Sequence, residues 1–217
     1  MNKGLLERFI NKYTLGDNVQ SVVLKIKNNV LSTEFITPEK SLLGKLALND
    51  FQYDDVELGV YNTSQLSRML NVLGDDVKLT VLRSDDTAIS IKVEDINASI
   101  NFMLSDKTII PVVPAMKNVP EFQLSLKIDS NFMARFIASK NALTDKETFT
   151  IVTDKDRDTC NCILGYSSIN TDRITIPVSV DQFTDVDLMS FNADLFGKIL
   201  QANKECSSGK LEISTQG

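Results

Sequence analysis

Three groups of side chains in this 217-residue sequence have types and spacings that could do chemistry. DKDRDTCNCILG (154–165) sets aspartates at positions 1, 3 and 5 of a calcium-loop pattern. Thr159 stands where that loop needs glycine, and Gly165 where it needs an acid, so a solvated hairpin is the better account and no metal is expected. Cys160 and Cys162 alternate on one strand and so point to one face, the start of a zinc site or a nucleophile. No histidine exists in the chain, and no further cysteine is placed to complete either site. The third group is basic: Lys3, Arg8, Lys12, Arg68, Arg135, Lys140, Lys198 and Lys204 all fall in segments of helical period. Such side chains, gathered on one face, hold a polyanion by its charge alone.

Composition narrows the chemistry further. The absence of histidine removes histidine-dependent triads, the usual proton shuttle near neutral pH and most transition-metal sites. No G-x-S-x-G turn is present to strain a serine nucleophile, so we expect no enzyme and no cofactor. Three cysteines, an odd count, suit reduced thiols in a cytosol-like compartment. IIPVVPAM (109–116) is the longest mostly apolar stretch, too short for a bilayer and broken twice by proline. MNKGLLERF carries Glu7 and Arg8 where an export signal needs an apolar core. The doublets Asp54–Asp55, Asp75–Asp76 and Asp85–Asp86 mark turns and strand edges.

The basic residues need elements to position them. Residues 3–13 place Leu6, Phe9, Ile10 and Tyr13 at i, i+3, i+4 and i+7, one helical face, with Arg8 and Lys12 opposite. FMARFIASKNALTD, from Phe132, echoes LLERFINKYTLGDN, from Leu5. In it Met133, Phe136 and Ile137 repeat the apolar face, Arg135 falls where Arg8 falls, and Asp129 or Ser130 caps the start. YNTSQLSRMLNVLG (61–74) offers Asn62 or Thr63 as cap, Leu66, Met69, Leu70 and Leu73 as apolar face and Gly74 as stop. FNADLFGKILQANK (191–204) repeats it, with Lys198 at the place of Arg68 and Gly197 as a weak point.

Everything between alternates with period two. The first half offers 22–27, 30–36, 42–48, 56–61, 77–82, 88–93 and 98–104 as strands, with turns such as Asn28–Asn29 between them. The second offers 122–128, a strand the first half lacks before its helix, then 148–152, 159–164, 173–180, 188–191 and 210–214. The expected architecture is α+β: two repeats of antiparallel sheet with two helices each, at 1–107 and 122–217. TIIPVVPAMKNVPE (108–121), with three prolines, serves as an extended connector. After KLTVL the first half runs on through AISIKV and ASINFML, whereas the second stops just after KLEIS, which reads as a truncated or incomplete copy.

Charge is segregated. The chain carries −6 overall, yet the helical segments 3–13, 62–73, 130–140 and 192–204 hold eight basic residues against Glu7 and Asp194. That is +6 on the helices and −12 on the remainder. Helix propensity explains lysine and arginine but not the scarcity of glutamate, an equally good helix former. The match of Arg8 to Arg135 and of Arg68 to Lys198 points to one shared polyanion.

A helix–strands–helix–strands unit, repeated twice across a proline-rich connector with basic helices, resembles the DNA sliding clamps. DVELGVYNTSQLSRMLNVLGDDVKLTVL (55–82) looks much like the clamp's strand–helix–strand segment. Two repeats per chain are seen in proliferating cell nuclear antigen and in T-even-type bacteriophage processivity factors, and the length, short N-terminus and connector resemble the phage type most.

The resemblance implies a homotrimeric ring of six units with helices lining the hole, closed head to tail. Strand 98–104 of one subunit (Ser99, Ile100, Phe102, Leu104) would meet 173–180 (Ile174, Ile176, Val178) of the next. Pro177 there tolerates only an edge or bulged position. It also implies a DNA polymerase processivity factor that slides on double-stranded DNA without sequence preference, with Arg8, Arg68, Arg135 and Lys198 foremost, then Lys12 and Lys140, then Lys3 and Lys204. Partners would be the polymerase and a clamp-loader ATPase, docking a short apolar peptide on Ile109, Ile110, Val112, Val113 and Met116. The bland reading of those five, that they pin the connector to the sheets, stands beside it. A cytoplasmic setting follows, the bacterial host's if the source is a phage. The alternative is a non-enzymatic phage structural protein built from duplicated β-rich domains, which predicts no charge segregation and no affinity for duplex DNA.

Overall fold

In the computed structural model, which describes residues 1–115, 119–169 and 171–216, Asn28 and Asn29 both take positive φ, 51° and 60°. That is the two-residue turn whose twist matches a hairpin, and it joins Val22–Lys27 (β1) to Val30–Ile36 (β2). Leu43–Leu48 (β3) adds beside β2 and Val56–Val60 (β4) beside β1, giving the antiparallel order β3-β2-β1-β4. A second sheet, β5-β6-β7, consists of Lys78–Ser84, Thr87–Glu94 and Ser99–Met103. Helices Lys3–Thr14 (α1) and Thr63–Leu70 (α2) complete this unit, Met1–Ala115. α1 buries Leu6, Phe9, Ile10 and Tyr13, and α2 buries Leu66 and Leu70, the faces their spacing sets toward the core. Asn62 caps α2, its side chain accepting from Gln65 N at 2.9 Å.

The second unit, Met116–Gly217, builds one six-stranded antiparallel sheet in the order β12-β9-β10-β11-β8-β13. Its strands are Leu124–Asp129 (β8), Thr148–Asp154 (β9), Thr159–Leu164 (β10), Ile174–Gln182 (β11), Met189–Asn192 (β12) and Ser208–Ile213 (β13). Ser130–Ala142 (α3) and Ala193–Ala202 (α4) are capped by Asp129 and Asn192. Four phenylalanines knit this core: Phe136 stands edge-on to Phe196 and Phe149, with ring centres 4.9 and 5.2 Å apart, and Phe149 stacks on Phe191.

β11 divides its pairing. Ile174–Val178 pair with β10, and from Ser179 the strand passes to β8, with a bulge between Val180 and Gln182. Pro177, which lacks an N–H, thus lies where β11 has one ladder neighbour. The units differ at a matching place. β8 runs beside β13 over six rungs, whereas Met1 and Asn2 pair with Val77 and Asp76, just ahead of β5, and Val81 N donates to the Tyr53 hydroxyl. Past β7, Lys107–Ile109 forms a single 3-10 turn capped by Asp106, and the described residues from there to β8 form no helix or strand.

Candidate nucleic-acid interface

Within each unit the two helices lie antiparallel, and side chains tie them, at both ends in the first unit and where α3 ends and α4 begins in the second. The first residue of α1, Lys3, donates from Nζ to the carbonyls of Leu70 (3.3 Å) and Leu73 (2.6 Å) at the C-terminal end of α2. It also pairs with Glu7 at 3.2 Å. At the other end the hydroxyls of Tyr13 and Thr63 meet at 3.2 Å, and burial pushes the Tyr13 phenol well above its usual range. In the second unit Lys140 pairs with Asp194 at 3.0 Å and donates to Thr144 O, bracing the end of α3 against the start of α4.

Those ties sort the basic residues. Lys3 is buried, so its ammonium caps α2 and is not offered to an external anion. Lys140 is largely covered and committed within its unit. Arg8 and Arg68 are exposed on the surface of the α1–α2 pair, and among the described residues neither side chain makes a hydrogen bond or ion pair. Lys12 is half-buried on the same helix. Arg135 is exposed on α3, its Nε donating to Asn131 Oδ1 at 3.1 Å, and Lys198 is half-buried on α4. Lys204 falls two residues past the end of α4 and is exposed. Over the observed helices seven basic residues stand against Glu7 and Asp194, so the segregation of charge survives the exact helix ends.

The sequence reading missed Lys127. It lies on β8 and, with Arg135, Asn131 and Ser179, lines a cavity of about 280 Å³ that reaches Pro177 on β11. Its signal was faint, one exposed lysine alternating with buried Leu126 and Ile128.

The strands assigned to subunit contact have specific faces. β7 pairs only with β6, so its outer edge is open among the described residues. Phe102 is only 5% exposed and faces its own core, with Ile100 and Leu104 half-buried, while Ser99 and Met103 are exposed. On β11, Ile176 and Val178 are buried and Ile174 is half-buried. Contact through these strands would therefore use backbone edges and outward side chains rather than Phe102, Ile176 or Val178.

The connector residues also separate. Ile110 is 4% exposed and reaches over Gly59, where an added Cβ would lie 3.3 Å from its Cδ1. Ile109 and Val112 are exposed, at 56% and 89%, and Val113 is half-buried. Met116 lies outside the described residues. Val112 helps line a cavity of about 430 Å³ with Ile36, Pro38, Val19 and Pro111.

Cys160 and Cys162 face the core, where burial raises the Cys160 thiol to about 11 and the Cys162 thiol further. Both stay protonated near neutral pH, so they pack as small apolar side chains. No group of three acidic, cysteine or histidine side chains that could hold a metal occurs among the described residues. No helix among them is long and apolar enough to cross a membrane.

No protein-family model matches the sequence, and no curated protein does. Solved structures do match. The crystal structure of proliferating cellular nuclear antigen from Entamoeba histolytica superposes with a TM-score of 0.72, over 99% of this chain and 87% of that one, at 15% identity. The chain therefore has the α+β fold of the sliding clamps, with antiparallel sheets and two helices in each unit.

Proposed function

We propose that this chain is a DNA polymerase processivity factor. Three copies close into a ring around duplex DNA, its repeats 1–107 and 122–217 joined by the connector 108–121. Phosphates meet Arg8, Arg68, Arg135 and Lys198, with Lys12 and Lys204 flanking. Lys3 and Lys140 hold the helices that carry them. The observation that carries the reading is the conjunction of a clamp fold with repeat-matched cations, Arg8, Arg68 and Arg135 exposed and Lys198 half-buried, on helices nearly free of acids. Weak, salt-sensitive contact suffices, since a closed ring is retained by topology rather than by affinity.

Tethering would use the cavity at Val112, where an apolar peptide of the polymerase or the loader ATPase finds Ile36, Pro38 and Pro111 beside exposed Ile109. The setting would be cytoplasmic, in the bacterial host if the source is a phage.

The test is the combined substitution of Arg8, Arg68, Arg135 and Lys198 by alanine. Each lost phosphate contact lowers the slope of log affinity against log salt by about 0.9, so with four cations removed from each of three copies the slope for duplex DNA should fall by up to about 11. Polymerase processivity should fall with it, at unchanged oligomeric mass. Processivity and slope equal to the parent protein's would overturn the assignment.

A further inference from the structure

We propose that Gly59 is a positioning residue for the connector, a seat on β4 that fixes where the Val112 wall of the cavity stands, a role that rests on the tethering site proposed above. Past β7 the chain crosses from one sheet of the first unit to the other. Leu104 N donates to Ile89 O of β6, and Ser105 N donates to Gly59 O of β4, both at 2.9 Å. β4 pairs with β1 alone, so its outer edge is free to receive Ser105.

Only glycine permits so close a pass. A Cβ at position 59 would run into the backbone carbonyl of Ser105, and no side-chain rotation relieves a clash with backbone. β4 is held to β1 over five rungs, from Val22 opposite Val60 to Ile26 opposite Val56. The segment entering the connector has a single backbone bond to β4, so it is the part that yields.

Two contacts complete the seat. Lys107 Nζ pairs at 2.5 Å with Glu57 Oε2, two residues before Gly59 and so on the same face of β4. Ile110 packs over Gly59 and is the one buried residue between Asp106 and Ala115. From Pro111 to Ala115 no hydrogen bond reaches the rest of the unit among the described residues. The opposite walls of the cavity are built in: Thr37 N donates to Leu42 O at 3.1 Å, and Gln20 O accepts from Thr63 N at 2.9 Å. Val112, two residues past Ile110, therefore takes its place from the seat.

The experiment sets spin labels at Val112→Cys and Lys40→Cys in the full chain carrying Cys206→Ser, Cys160 and Cys162 being buried. One narrow distance is expected, and Gly59→Ala should replace it with a broad distribution. In the unlabelled protein Gly59→Ala should speed amide exchange at Ser105 by about a hundredfold while β1 keeps its protection. Lys107→Met, which loses only an exposed ion pair, should speed Ser105 by no more than about fivefold, and Lys107→Arg should restore it. Anilinonaphthalenesulfonate supplies the binding readout: Val112→Asp should abolish its binding at the cavity, and Gly59→Ala should weaken it by about tenfold. Should Gly59→Ala fail to fold, Ile110→Ala frees the same segment and should broaden the same distance. An unchanged label distance overturns the proposal, as does unchanged dye affinity beside a broadened one. Exchange that speeds in β1 as much as at Ser105 overturns it too, since Gly59 would then support the whole sheet. A parent protein that binds no dye counts against the tethering site, and the label distances still decide the seat.

Discussion

Lysines that look alike in sequence do different work here. Lys3 opens a helix and reads as one more solvent cation, yet the acceptors it satisfies lie on α2, far along the chain. Nothing local marks such a pairing, and only the packed helix pair reveals it. Lys3→Met keeps the aliphatic stem but orphans the Leu73 carbonyl and leaves Leu70 O with the Leu73 N–H alone, and should cost about 1–3 kcal/mol in urea unfolding. It should leave the salt dependence of DNA binding untouched, the converse of the arginine substitutions, so the two readouts separate the roles. Asp95 is a second fixed charge. Its carboxylate accepts from the backbone of Gly74 (2.5 Å), Ala98 (2.6 Å) and Asn97 (2.7 Å), and these bonds, Gly74 first, hold its pKa below the usual carboxylate range. A lowered folded pKa means the stabilisation is whole above the unfolded value of about 3.9 and is lost as pH falls through the folded one. Urea midpoints measured from pH 5 downward should therefore fall less steeply in Asp95→Asn than in the parent protein.

The elements were legible to the extent that one face of each is buried. α1 and α3 announced themselves by Leu6, Phe9, Ile10 and Tyr13 and by Met133 and Phe136, because a 3.6 period serves only a helix with a core beneath it. The strands were equally open, down to the Asn28–Asn29 turn. α2 was read to Leu73 but ends at Leu70. Leu73 is buried all the same, its N–H donating to Leu70 O in a tightened final turn, so apolar spacing overran the helix. Pro177 signalled a special position, and the divided pairing of β11 supplies one, although the exchange from β10 to β8 is a tertiary event with no sequence mark. Gly197 remained a puzzle in sequence. In the structure an added Cβ would touch Lys140 and Phe136 at 3.9 Å, an ordinary contact. Gly197→Ala should raise stability by about 0.5–1 kcal/mol, read as an upward shift in the thermal midpoint.

At the scale of the molecule, the two units share helix faces and matched cations in the sequence, and a solved structure with the same fold is 15% identical. Light scattering over a range of concentrations should find a species near three times 24.2 kDa, and a strict monomer would remove the ring from the proposal. The pairing of β8 with β13 has a further consequence, for synthesis. β8 and β13 are neighbours in the sheet, so a growing chain holds the backbone edge of β8 without this partner until residues 208–213 leave the ribosome. The first unit, whose strands end at Met103, can close far earlier. The chain is thus made as a finished half followed by an exposed one, and a stall short of Ser208 would leave an open apolar strand for a chaperone, or for aggregation, to find.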